Sequence, residues 1–108
     1  MILLDRFIDL FCDKAAVVND DPTALQKEVK MLKKRFGPWY QICGFKNFKD
    51  FFLALHMARV KHCKDFSCAF IRNTEPPEGE LILKKINPDI KTYKYSDTQQ
   101  LSVLLADR

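Results

Sequence analysis

This chain has little of what marks enzymes and membrane proteins. Its 108 residues include only three glycines, two histidines and one tryptophan. No glycine-rich segment is available to cradle a phosphate. The apolar runs are short, as at Ile2-Leu3-Leu4 and Phe51 to Leu55, far below the roughly 18 residues that cross a bilayer. Asp5, Asp9 and Asp13 interrupt the first apolar stretch and argue against a secretory signal; together they read as a solvated acidic face. The cysteines, Cys12, Cys43, Cys63 and Cys68, form no Cys-x-x-Cys pair. Cys12 and Cys43 lie among apolar residues, where a reduced cysteine is a small buried side chain, so neither a metal site, a cofactor nor a disulfide framework is expected. His56 and His62 have no nucleophile or acid beside them in a recognisable arrangement, and His62-Cys63 on a strand would point to opposite faces. The sequence therefore reads as a non-enzyme.

What is present is an ordinary globular composition, 47% apolar and 30% charged, in a chain long enough for one core. It reads as one soluble, cytoplasmic domain over residues 1–108, a piece of a longer protein. The net charge of +4 is unevenly spread. Residues 22–64 carry ten Lys/Arg against Glu28 and Asp50, a balance of +8, and the flanking segments are mildly acidic. A field of that sign concentrates polyanions and speeds their encounter.

The apolar spacing predicts a first helix over 2–18 and a second over 22–36, started by Asp21-Pro22 and stopped by Gly37-Pro38. A short turn at 38–43 leads through Gly44 to a third helix from about Asn47 to Met57. Phe66–Ile71 and Leu81–Ile86 have strand composition around a polar, proline-rich turn and are expected to pair as a β-hairpin. Residues 87–95 read as irregular or as a short edge strand. Ser96-Asp97-Thr98-Gln99 resembles a capping box before a last helix to about residue 107. The expected fold is α+β: a winged helix-turn-helix, three helices plus a hairpin wing, with an extra C-terminal helix.

Arg35-Phe36-Gly37, the pair Gly44-Phe45, and Phe48-x-x-Phe51-Phe52-x-x-Leu55 resemble the core motif of LOTUS (OST-HTH) winged-helix domains, most closely those of mRNA-localisation adaptors. The likeness covers about residues 3–86 and is strongest over 35–55. It implies cytoplasmic RNA work: RNA binding, contact with a DEAD-box helicase or with dynein-adaptor machinery, or self-association as a homodimer. No membrane contact is expected.

Two binding surfaces follow. Lys27, Lys30 and Lys34 line up on the second helix with Lys33 on the flank, and Lys46 and Lys49 open the third. Arg72, Lys84 and Lys85 would extend that footprint along the wing. Lysines are point charges suited to backbone phosphates, so RNA is the expected partner. Alternatively, Leu53, Met57 and Tyr93, with the last helix, would form an apolar surface for a protein partner or a second copy.

Overall fold

The computed structural model describes residues 12–106. Strands and helices alternate: β1 (Asp13–Val18), α1 (Pro22–Phe36), β2 (Tyr40–Phe45), α2 (Phe48–Val60), β3 (Phe66–Arg72), α3 (Pro77–Ile86), β4 (Lys91–Tyr95) and α4 (Thr98–Ala106). The four strands form one sheet in the order β2-β1-β3-β4, with every neighbouring pair parallel. Parallel neighbours need helical crossovers, and these cover both faces of the sheet. Leu32, Leu101 and Leu105, from α1 and α4, pack with Ala15, Val17, Ile42, Cys68 and Phe70 on one face. Phe48, Phe51 and Leu55 of α2 and Leu83 of α3 pack with Ala16, Val18, Ala69 and Ile71 on the other.

Within β3, Phe66 belongs to the α2/α3 face while Cys68 and Phe70 belong to the α1/α4 face. Strict alternation would keep all three on one side. The pairing register shifts between Lys14 and Ala15, and at this irregularity the Ser67 hydroxyl donates to the Lys14 carbonyl at 3.2 Å. A bulge of this kind re-aims every side chain that follows it.

The mixture of helix and strand matches expectation; the winged arrangement does not. Residues 13–18 are the central strand, not the end of a helix; the part of that expected helix at 2–11 lies outside the described residues. Ala15 to Val18 are fully buried, and strands covered on both faces read as continuous apolar runs that mimic helical spacing. The expected turn at 38–43 is mostly β2. The hairpin is absent, because Leu81–Ile86 is helical. Pro77 starts α3, Glu78 and Glu80 sit in its first turn and Lys84 and Lys85 in its last, each where the helix dipole favours that charge. These end signals outweigh the strand-like Leu81-Ile82-Leu83. Helices α1, α2 and α4 and the edge strand β4 lie where the sequence places them.

Candidate functional site

In open parallel sheets the ligand crevice lies beyond the carboxyl ends of the strands, where successive connections leave to opposite faces. Here that point is between β1 and β3, since α1 leaves β1 over one face toward β2 and α3 leaves β3 over the other toward β4. Asn19 and Asp20 follow β1, and Arg72 ends β3. Asn19 is 1% exposed and Glu28, from the inner face of α1, is fully buried. Asn19 Nδ2 donates to Glu28 Oε1 at 2.8 Å, and Asn19 Oδ1 accepts from the Asp21 N–H at 3.0 Å and from Arg72 Nη1 at 3.2 Å. Arg72 Nη1 also lies 3.7 Å from Asp20 Oδ1. Tyr95 OH and Thr98 Oγ1 complete the Glu28 carboxylate, at 2.5 and 2.9 Å.

This network ties α1, β1, β3, β4 and α4 together at one end of the sheet. Burial, then the hydrogen bond to Glu28 and its charge, push the Tyr95 phenol well above its ordinary range, so it stays a neutral donor. Burial, then the charge of Asp20, raise the Glu75 carboxyl, partly offset by Arg72. The crevice is thus occupied by the protein's own guanidinium, paired to Asn19 and Asp20. The Asn19 and Glu28 oxygens are satisfied by internal donors, whereas the buried Arg72 Nε and Glu75 Oε1 have no hydrogen-bond partner among the described residues, and neither histidine belongs to the crevice. Among the described residues no group of three or more His, Cys, Asp or Glu side chains is placed to hold a metal ion. The four cysteines form no disulfide.

The expected nucleic-acid residues divide into separate groups. Lys27, Lys30, Lys33 and Lys34 are exposed along the outer face of α1. Glu28, the one acid of that helix, points inward, so the outer face carries no negative charge. Arg35 Nε donates to the Leu105 carbonyl at 2.9 Å and clamps α4 to α1. Lys46 lies beyond β2 and Lys49 in the first turn of α2, the helix on the opposite face of the sheet. Arg72 is in the crevice rather than at a wing tip. Lys84 and Lys85 are on α3, not on a strand, and Lys84 Nζ donates to the Ile90 carbonyl at 2.5 Å. The four α1 lysines share one exposed helix.

The aromatic-rich segment 36–55 also divides. Phe45 stacks on Phe51 at 5.0 Å and Phe48 on Phe52 at 5.6 Å on the α2 face, whereas Phe36 stacks on Tyr40 at 4.7 Å on the α1 face. Trp39 joins neither cluster and is 72% exposed. It follows Gly37, whose φ of 81° lets the chain turn at the end of α1 while its N–H caps the Lys33 carbonyl. The only tryptophan therefore stands just past the two lysines of the last turn, a placement that the sequence reading missed.

Of the expected apolar contacts, Leu53 and Met57 are outward at 61% and 40% exposure, joined by Val60 at 57%. Their spacing puts them on one stripe of α2. Tyr93 is half-buried and stacks on Phe70 at 5.0 Å, so it belongs to the core rather than to that surface. Among the described residues no helix is long and apolar enough to cross a membrane.

No protein-family model matches the chain. Comparison with curated proteins and with solved structures likewise gives no match.

Proposed function

We propose that this domain is a non-catalytic RNA-binding module that holds single-stranded RNA along α1. One observation carries the reading: four exposed lysines without an acid among them run up to the exposed Trp39. Lys27 to Lys34 span about 10 Å at 1.5 Å per residue, enough to follow successive phosphates. An exposed indole is a platform on which a base stacks at about 1–3 kcal/mol.

Because the chain has one tryptophan, its fluorescence reports directly on the site. Oligouridine should quench it, with a salt slope near −3 for about four phosphate contacts on a single strand. Affinity should then fall about 50-fold between 50 and 200 mM salt. The Lys27→Glu/Lys30→Glu/Lys34→Glu variant should lose that binding, and unchanged binding would reject the proposal.

A second reading, docking of a protein partner or second copy, is favoured by the Leu53, Met57 and Val60 stripe. Sedimentation of the parent against a Leu53→Glu/Met57→Glu variant tests self-association there: a dimer abolished by the variant supports it, and a monomeric parent rejects a homodimer.

A further inference from the structure

The two edges of the sheet are unequal. Edge strand β4 carries an exposed Lys91, and Lys94 pairs with Glu80 at 3.0 Å while Thr92 bonds the same carboxylate. Charges of this kind guard an edge against further pairing. Edge strand β2, Tyr-Gln-Ile-Cys-Gly-Phe, has neither a charge nor a proline, and among the described residues no strand pairs with its outer side.

The direction of its backbone groups can be read from one bond. The Asn19 N–H donates to the Phe45 carbonyl at 3.0 Å, so Phe45 faces β1. Successive peptide groups of a strand alternate, so Gln41 and Cys43 also turn inward, and Ile42 and Gly44 present N–H and C=O outward.

A groove runs beside this edge on each face of the sheet. On the α1 side a hollow of about 490 Å³ is lined by Leu25, Gln26, Val29, Lys30, Lys33 and Gly44. Gly44 keeps the hollow open, since a Cβ there would stand 2.9 Å from Val29 Cγ2. On the α2 side a hollow of about 270 Å³ reaches from Phe45 of β2, Lys14 of β1 and Phe66 of β3 to Met57, Ala58 and Lys61 of the α2 end. Lys30, Lys33 and Lys61 are exposed, and neither hollow contains an acid.

We propose that the outer edge of β2 takes up an extended acidic peptide as a fifth strand. The Ile42 and Gly44 backbone groups supply its hydrogen bonds. Its successive apolar side chains, turned by turns to the two faces of the sheet, enter the two hollows, and its flanking Asp/Glu residues meet Lys30, Lys33 and Lys61. Main-chain bonds give affinity in such strand addition, and side-chain pockets give selectivity. The charge of the rims fixes the sign of the partner.

The test uses the full chain, isotope-labelled, with the peptide Asp-Glu-Val-Ile-Val-Ile-Val-Glu-Asp as probe. Saturating peptide should slow hydrogen exchange of the Ile42 and Gly44 amides about tenfold or more, leaving Gln41 and Cys43 unchanged. N-methylating the peptide amides that face β2 should abolish binding, whereas methylating the alternate set should not. The Lys30→Glu/Lys33→Glu/Lys61→Glu variant should bind about tenfold more weakly, and a peptide with lysines in place of its acids should not bind. Lys27→Glu/Lys34→Glu should weaken oligouridine binding yet leave peptide binding intact, separating this surface from the RNA face. Ile42 and Gly44 amides that ignore the peptide would overturn the proposal. So would amides already protected in the free chain, with the edge taken by residues 2–11 or by a second copy.

Discussion

Replacing Glu28 with alanine is the sharpest test of how the carboxyl end of the sheet is held. Glu28 accepts from Asn19, Tyr95 and Thr98 at 2.8, 2.5 and 2.9 Å. Thr98 is half-buried and can turn its hydroxyl to water, but Asn19 and Tyr95 are 1% and 0% exposed. Two buried donors would thus be stranded, each at about 1–3 kcal/mol. The sum, about 4 kcal/mol, far exceeds the few tenths that alanine gains as a helix former. Against a total stability of about 5–15 kcal/mol for a small domain, that is a third or more. Glu28→Gln keeps one acceptor oxygen and should cost about 1 kcal/mol; Tyr95→Phe removes one donor to a charged group and should cost about 1.5–3 kcal/mol. Urea unfolding measures all three, with the slope unchanged if only the folded state is affected. The Glu28→Gln/Tyr95→Phe double mutant should show coupling of about 0.5–3 kcal/mol, because the pair is in direct contact. In alkaline absorbance titration one of the three tyrosines should resist ionisation until unfolding, and Glu28→Gln should make it easier to ionise. A Glu28→Ala midpoint within about 0.5 kcal/mol of the parent would refute the argument, since it would mean the buried donors do not depend on this carboxylate.

Gly79→Ala should destabilise the domain by about 1–2 kcal/mol in urea, although alanine is the better helix former: its Cβ would lie 2.2 Å from Phe48 Cδ2, and overpacking outweighs propensity. A stabilised Gly79→Ala would show instead that the Phe48 ring can move. Burial would raise the Glu80 carboxyl, but hydrogen bonds from Lys94 and Thr92 and the charges of Lys94 and Lys84 bring it below its ordinary value. Its stabilisation is therefore present above the ordinary carboxylate range and lost as pH falls through the folded value. Glu80→Gln should lower the urea midpoint near about pH 7, with the difference shrinking toward about pH 3. Glu75, raised by burial and Asp20, has the opposite sign: its ionisation penalises the fold as pH rises through the folded value. Glu75→Gln should raise the midpoint near about pH 7 and lose that advantage in acid.

Helices with good end signals were legible in the sequence. Asp21 accepts from the Thr23 and Ala24 N–H groups and Asn47 from the Asp50 N–H, each where capping chemistry predicts, whereas the last helix is capped by Asp97, which accepts from the Gln100 N–H one residue beyond the cap that a box over 96–99 implies. Strands β1 and β2 were not, because a short run buried on both faces has no period of its own. Leu81–Ile86 has the composition of a strand, but the proline and the charges at its ends decide for a helix. Glu28 was read as one acid among lysines, yet it falls on the stripe of Leu25 and Leu32, three and four residues away, and that spacing was the available signal. The α1 lysine face was legible because exposed helical positions follow directly from 3.6 residues per turn. That Lys49, Lys84 and Lys85 stand on helices of the opposite face was not, since it depends on which face each crossover takes.

The central position of β1 also has a consequence in time. β1 meets β2 through the pair Asp13–Tyr40 and β3 through the pair Lys14–Phe66. Both contacts close long loops, so folding should be slower than for a helical bundle of this size. During synthesis Ala15–Val18 can pair on one side once residue 45 has emerged, but its other side waits for residues 66–72. Until then the most deeply buried strand of the molecule is itself an open edge, and any chain that stops short of Arg72 keeps it open for good, a ready nucleus for aggregation.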